Sequence, residues 1–231
     1  MKRDQGYTLV EMVISIAVGL VIIAAIYAAV NMGQRSTSGV ERKVAAHQDT
    51  RACLELMSLE IQMASFNSAA ATGIWVAPAD CATLSGNQNY CGIQAATATS
   101  ITIETDVNEN SAIGGAGNPN EVITYIYDAA NQYITRSTNC GGNQPFLGDT
   151  VASGRPRTVR VINTAAVPVF RYFNSQGTEI LPAGLPAGIP DIARIDITLW
   201  VETEDADPSS GQRRRMVYAT SVIPRNHVIT D

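Results

Sequence analysis

The first 30 residues carry the strongest hydrophobic pattern in the chain. Lys2 and Arg3 precede an apolar run that extends from Tyr7 to Val30. As a helix, its charge-free section, residues 12–30, would measure about 28 Å at 1.5 Å per residue, close to the ~30 Å hydrocarbon core of a bilayer. The basic residues predict a cytoplasmic N-terminus and an exported remainder. We therefore expect a membrane-spanning helix over residues 7–30.

One carboxylate, that of Glu11, lies within this apolar run. A charge in a lipid-facing helix costs on the order of 3 kcal/mol on insertion scales, so it needs a partner or a route to water. From the residues alone, Glu11 either reaches the headgroups or meets an opposite charge in an assembled state. Cleavage of an ordinary secretory signal after the small residues of "AIYAAV" is the alternative to a retained anchor.

A second helical pattern follows over residues 31–66. Apolar residues recur there at steps of seven, four and three, as on one face of an amphipathic helix. These residues are Ala45, Ala52, Leu56, Leu59, Met63 and Phe66. We expect this stripe to pack on the rest of the domain, and a partner-facing coiled-coil seam is the alternative.

From residue 67 to 231 the pattern changes to short β-strands. Segments such as "SITIET", "TVRVIN" and "VPVFRYF" alternate and are rich in β-branched or aromatic residues. "EVITYIYDAANQYITRST" predicts a hairpin with its turn at residues 128–131. "DIARIDITLWVETEDADPSSGQRRRMVYATSVI" predicts a second hairpin with a polar tip. The predicted fold is α+β: a long N-terminal helix packed on an antiparallel β-sheet head.

Charge and cysteine content exclude several classes of function. With 16 basic and 21 acidic residues the net charge is −5, which disfavours non-specific nucleic-acid binding. The four cysteines contain no C-x-x-C pair, which disfavours zinc and thioredoxin-like chemistry. On the exported side, disulfides are allowed. The short separation of Cys81 and Cys91 favours a disulfide between them. A second disulfide would then join Cys53 to Cys140.

No residue pattern predicts an enzyme or a cofactor. The acids Glu204, Asp205 and Asp207 at the second hairpin are weak calcium candidates, because no Asp-x-Asp-x-Asp-Gly loop is present. Residues 213–215 are arginines that pair with these acids or contact phosphates. His47 and His227 are far apart in sequence and no G-x-S-x-G motif accompanies them, so a hydrolase is disfavoured.

The opening stretch "KRDQGYTLVEMVISIAVGL" resembles the class III signal of type IV prepilins. The resemblance implies cleavage between Gly6 and Tyr7 by prepilin peptidase and methylation of the new amino group of Tyr7. Residues 1–6 are then a leader peptide, and Glu11 becomes the fifth mature residue, the signature acid of these proteins. In this family its partner is the N-terminal amine of a neighbouring subunit. Tyr7 departs from the usual phenylalanine.

The later segments are similar to PilW-type minor pilins and to the related J-type pseudopilins of type II secretion. The similarity rests on the order of "TRACLELMSLEIQMASF", "VITYIYD", "VFRYFNSQGTEI" and "IARIDITLWVET". It implies a minor pilin that is held in the inner membrane and then enters a surface filament. The implied partners are other major and minor pilins, prepilin peptidase and the inner-membrane assembly platform, without a specific nucleic acid. The alternatives are a pseudopilin and a membrane-anchored surface binding module.

Overall fold

One helix dominates the N-terminal part of the molecule. The computed structural model describes residues 7–75, 87–115, 117–148, 157–207 and 210–227. Helix α1 extends over Leu9–Gln62, with Thr8 as its N-cap and Met63 as its C-cap. It continues without a break through its three glycines, at positions 19, 33 and 39. A short helix, α2 (Leu185–Gly188), and three single 3₁₀ turns (Gln88–Tyr90, Pro182–Gly184 and Ile189–Asp191) complete the helical elements.

The first sheet is an antiparallel meander in which consecutive strands are neighbours. Three of its four connections have three to five residues and the β2–β3 connection has 17, and antiparallel pairing does not require a crossover. The strands are β1 (Ile93–Ala96), β2 (Ser100–Glu104), β3 (Val122–Asp128), β4 (Tyr133–Thr138) and β5 (Gln144–Leu147).

The second sheet is built around its longest strand. Its members are β6 (Val159–Val161), β7 (Phe170–Phe173), β8 (Glu179–Ile180), β9 (Arg194–Thr203) and β10 (Arg215–Val222). Strand β10 pairs with one side of β9 over its whole length. The other side of β9 pairs with β7 near the start of β9 and with β6 near the end of β9. All of these pairs are antiparallel, and β10 is an outer strand of the sheet.

The structure confirms the α+β class and both predicted hairpins. Strands β3 and β4 pair from Ile123–Thr138 to Asp128–Tyr133, around the predicted turn. On β9, four alternate residues are fully buried: Ile195, Ile197, Leu199 and Val201. Their alternation with more exposed neighbours is the two-residue period of a strand with one buried face. Strands β1, β5 and β8 were not predicted.

The predicted packing face of α1 is wrong. Leu56, Leu59 and Met63 are 41%, 59% and 47% exposed. The head instead covers a neighbouring face, whose buried members are Ala46, Thr50, Leu54, Met57, Glu60 and Ile61. Both sets recur at helical spacing, so α1 carries two stripes. The buried stripe contains a threonine and a glutamate, which made it look less apolar in the sequence.

The main core lies between α1 and the two sheets. It joins the buried face of α1 to inward-facing side chains of β1–β7, β9 and β10. Each fully buried aliphatic or aromatic side chain there contributes about 1.5–3 kcal/mol relative to an exposed one. A smaller cluster of Ile74, Trp75, Ile113 and Val122 lies apart from it, with Cys140 packed against it. The core of the head therefore forms on the second half of α1, and the buried core residues of the described chain include none from the first half.

Candidate functional site

The N-terminus of α1 is built by Thr8 and Glu11. The Thr8 hydroxyl accepts a hydrogen bond from the Glu11 N–H at 3.3 Å, and Glu11 Oε2 accepts from the Thr8 N–H at 2.9 Å. This reciprocal pair is a capping box, which satisfies two donors that a helix start leaves open. The Thr8 hydroxyl also donates to Glu11 Oε2 at 3.0 Å. The sequence pattern Thr-x-x-Glu could have predicted this cap.

The Glu11 carboxylate has no opposite charge within the described chain. Both of its recorded side-chain partners are groups of Thr8. Among the ion pairs of the described residues, none includes Glu11, although Gly6 and the leader fall outside them. The site thus holds a fixed, exposed carboxylate at the start of an apolar helix. A cation from outside the chain can reach it without breaking any contact to the head.

The first half of α1 exposes almost all of its apolar surface. Large apolar side chains between Tyr7 and Val30 are 51% to 87% exposed. The helix is long and apolar enough to cross a membrane by length and composition. A monomer in water does not keep so large an apolar surface exposed. This half therefore requires lipid or other helices around it.

A buried ion pair fastens the second half of α1 to the first sheet. Arg136 on β4 donates from Nη2 to Glu60 Oε1 at 2.7 Å and from Nε to Glu60 Oε2 at 3.1 Å. The Tyr125 hydroxyl donates to the same carboxylate. Burial, and then the hydrogen bond to Glu60, raise the pKa of Tyr125, which keeps the phenol protonated as a donor. Sequence patterns gave no signal for this cluster, because its members come from distant segments.

The calcium candidates at the second hairpin are bound to arginines instead. Arg160 donates two hydrogen bonds of 2.7 Å to the Glu204 carboxylate. These bonds lower the pKa of that carboxyl group. Asp205 lies 3.6 Å from Arg42, and Asp207 lies 3.3 Å from Arg214. Across the described part of the chain, no group of three or more His, Cys, Asp or Glu side chains could hold a metal ion. Across the hairpin, Arg214 pairs with Asp207, and Arg213 and Arg215 pair with Glu202, whereas Glu204 and Asp205 pair with arginines outside the hairpin.

The loop that joins β2 to β3 is closed by the amide of Asn118. Asn118 Oδ1 accepts from Asn108 Nδ2 at 2.7 Å and from Asn110 Nδ2 at 2.6 Å. Its own Nδ2 donates to the carbonyl oxygens of Ala112 and Gly114 at 3.2 and 2.8 Å. Because the amide fills the centre of this polar loop, the loop holds its shape through its own side chains.

The cysteines do not pair as predicted. Cys53 and Cys91 are free thiols, whereas Cys140 is disulfide-bonded, so the pairings Cys81–Cys91 and Cys53–Cys140 are wrong. Short sequence separation favoured the first pairing, but the fold places Cys140 on the small cluster formed in part by Trp75. Burial raises the pKa of Cys53 to about 12, and its thiol donates to the Phe146 carbonyl. Cys81 lies outside the described residues.

The two histidines hold structural positions. His47 Nδ1 lies 2.6 Å from the Tyr218 hydroxyl, which joins α1 to β10. His227 is buried, with Nδ1 3.1 Å from Ser65 Oγ and Nε2 2.9 Å from the Ile189 carbonyl oxygen. A serine beside a histidine suggests hydrolysis, but Ser65 is only 4% exposed and the far ring nitrogen faces a carbonyl, not a carboxylate. This contact fixes the C-terminal segment to the end of α1.

Comparison with known proteins identifies only the start of the chain. A family profile described as the prokaryotic N-terminal methylation motif matches residues 1–27. No curated protein and no solved structure matches the chain. The matched segment contains the predicted cleavage site and Glu11, and it ends within the apolar half of α1. The match supports a type IV pilin-like protein, either a pilin or a pseudopilin, that prepilin peptidase processes.

Proposed function

We propose that this chain is a minor pilin: a low-copy structural subunit that enters a type IV pilus, near its tip or in its initiating complex. Residues 1–6 are its leader, 7–30 its membrane and filament-core helix, 31–66 the amphipathic continuation, and 67–231 its exported head. The observation that supports this most is the combination of the methylation motif with an apolar half-helix that the head leaves uncovered. The role is structural and not enzymatic.

The proposed sequence of events uses the residues at the start of α1. Prepilin peptidase cuts between Gly6 and Tyr7 and the Tyr7 amine is methylated. The assembly platform then transfers the subunit from the inner membrane to the filament, where major and minor pilins surround its helix. Glu11 there accepts the N-terminal amine of a neighbouring subunit. A buried carboxylate is tolerable with such a partner and costly without one, so the pair fixes the axial register of the helices.

Intact-mass analysis of the chain purified from membranes and from sheared filaments tests this proposal. We expect the mature form to lack Met1 to Gly6 and to carry a methyl group on Tyr7. A mature chain that begins after Val30 would contradict both the cleavage and the filament role. Filaments identified as a secretion pseudopilus would assign the chain to the J-type pseudopilins, and an unprocessed chain absent from filaments would favour an anchored binding module.

A further inference from the structure

The polar tip of the β9–β10 hairpin lies in a network of ion pairs. Among the residues that the structure describes, six arginines contact its four carboxylates. We call these arginines the basic end. They are Arg42, Arg157, Arg160, Arg213, Arg214 and Arg215.

The arginines of this network are not equally engaged. Arg160 holds Glu204 through two short bonds, whereas Arg213 and Arg215 both face Glu202 at 3.8 and 3.4 Å. The side chains of Arg213, Arg214 and Arg215 are 41%, 58% and 67% exposed. A guanidinium group has five N–H donors, so these three retain donors for an outside anion.

Contacts between β10 and α1 fix where the basic end lies. Tyr218 contacts His47, and the Arg225 N–H donates to the Gln62 carbonyl at 3.3 Å. The two spans agree in length, about 23 Å of extended chain against about 22 Å of helix. Strand β10 therefore runs along α1 in the same direction. Its first residues, and the hairpin tip before them, point toward the N-terminal half of α1, as the Arg42–Asp205 contact also indicates.

The same spacing gives the distance of the basic end from the apolar run. Residues 213–215 precede Tyr218 by about 10–17 Å of extended chain, which places them level with α1 residues about 36–40. That level is about 9–15 Å beyond Val30 along the helix axis. Headgroups occupy about 5–7 Å beyond the hydrocarbon core, and screening acts over about 8–10 Å at physiological salt. Extended arginine side chains at this level come within range of lipid phosphates.

We propose that the basic end is a docking surface for anionic phospholipid headgroups, which holds the head against the membrane before assembly. This inference rests on the proposed membrane anchoring of α1. Guanidinium groups bind phosphate through paired N–H donors, and basic residues beside a membrane helix are attracted to an anionic lipid surface. In a filament, neighbouring subunits replace the lipid, so docking belongs to the membrane pool only.

Amide hydrogen exchange of the full chain in nanodiscs tests the proposal. The discs contain phosphatidylcholine alone or with phosphatidylglycerol. We expect exchange in residues 203–215 to slow by about threefold or more in the anionic discs, and 0.5 M NaCl to abolish the difference. The triple variant Arg213→Gln/Arg214→Gln/Arg215→Gln should lose the protection.

A matched variant controls for net charge and stability. Arg171→Gln/Arg194→Gln/Arg225→Gln removes three charges from the opposite end of the second sheet, where Arg171 lies beside Asp196 in register and Arg225 beside Gln62. It should keep the lipid-dependent protection. Melting temperatures of both variants show whether each head is folded.

Several results would overturn the proposal. Equal exchange in neutral and anionic discs, or equal loss of protection in both variants, would show that the basic end does not bind anionic lipid. Protection by a short DNA duplex but not by phosphatidylglycerol would assign the surface to nucleic acid. Either result leaves the proposed filament function intact if the chain is still cleaved after Gly6 and found in filaments. A chain that does not insert into discs at all would instead contradict the proposed function.

Discussion

At the scale of single residues, buried polar groups decide how the head is held to the helix. Glu60 lies on the buried face of α1, where its carboxylate receives Arg136 and the Tyr125 hydroxyl. A buried pair of this kind contributes little net stability, because desolvation offsets most of the attraction. Removal of only one partner is costly, because the other charge then stays buried without a counter-charge. We therefore interpret the cluster as a device that fixes the position of α1 on the first sheet.

Removal of one member of this pair should destabilise the head. Arg136→Met leaves Glu60 buried without its cation, and we expect unfolding free energy to fall by about 3 kcal/mol. Adding Glu60→Leu should recover part of that loss, because the double variant buries no unpaired charge but leaves the buried Tyr125 hydroxyl without its acceptor. Denaturant unfolding of the two single variants and the double variant gives the coupling. Additive losses would show that the two side chains do not interact.

Glu104 is the second informative residue, because its carboxyl group is fully buried. Burial raises its pKa to about 8, and a hydrogen bond from Gln94 offsets part of the effect. Its Oε1 atom has no hydrogen-bond partner among the residues that the structure describes. The folded state therefore keeps a proton on Glu104 at a pH where the unfolded chain has released it.

This group makes stability depend on pH. Its contribution is fully present below the unfolded pKa of about 4.5 and is lost as pH rises to about 8, by up to a few kcal/mol. We expect Glu104→Gln to flatten the fall in unfolding free energy between pH 5 and 8 and to stabilise the head at pH 8. Urea unfolding over this pH range is the measurement. Parallel curves for both proteins would contradict the assignment.

At the scale of elements, α1 shows what the sequence can and cannot predict. Its length and its apolar first half follow directly from composition. Its packing face does not, because two stripes of the second half satisfy helical spacing equally well. The face with the larger side chains, Leu56, Leu59 and Met63, remains exposed. The choice between them depends on Arg136 and the sheets, which are distant in sequence.

Truncation of one residue from each stripe should separate the two faces. Met57 is fully buried, so Met57→Ala should cost about 2–4 kcal/mol of unfolding free energy. Leu59 is 59% exposed, so Leu59→Ala should cost less than about 0.5 kcal/mol. Thermal or denaturant unfolding of both variants checks the assignment. A larger loss of unfolding free energy for Leu59→Ala than for Met57→Ala would contradict this assignment and support the packing face predicted from the sequence.

Strand prediction succeeded where the local pattern was complete. The two long hairpins alternate over many residues and have clear turns, so their pairing was predictable. Strands β1, β5 and β8 have two to four residues each and take their shape from their neighbours. Strand β5 even contains Pro145, which disfavours a central strand and is tolerated here at the edge of the first sheet. The cysteine pairing failed for a similar reason, since it depends on tertiary position.

At the scale of the whole molecule, the head and the first half of α1 have different physical requirements. The head is folded around its own core, whereas residues 7–30 expose an apolar surface with one fixed carboxylate. Lipid satisfies the apolar surface but not the charge. A bundle of helices that brings an N-terminal amine to Glu11 satisfies both. Under the proposed function, this difference is the physical basis for movement from a membrane to a filament.

Incorporation of a Glu11→Gln variant into filaments tests this account most directly. Glutamine at this position keeps the capping box with Thr8 and removes only the charge. Glu41→Gln, which removes another exposed carboxylate from the same helix, is the matched control. The quantity to measure is the amount in sheared filaments divided by the amount in the membrane pool. We predict a fall of about tenfold or more for Glu11→Gln and no change for Glu41→Gln. Equal incorporation of Glu11→Gln and the native chain would contradict the pairing of Glu11 with a neighbouring subunit.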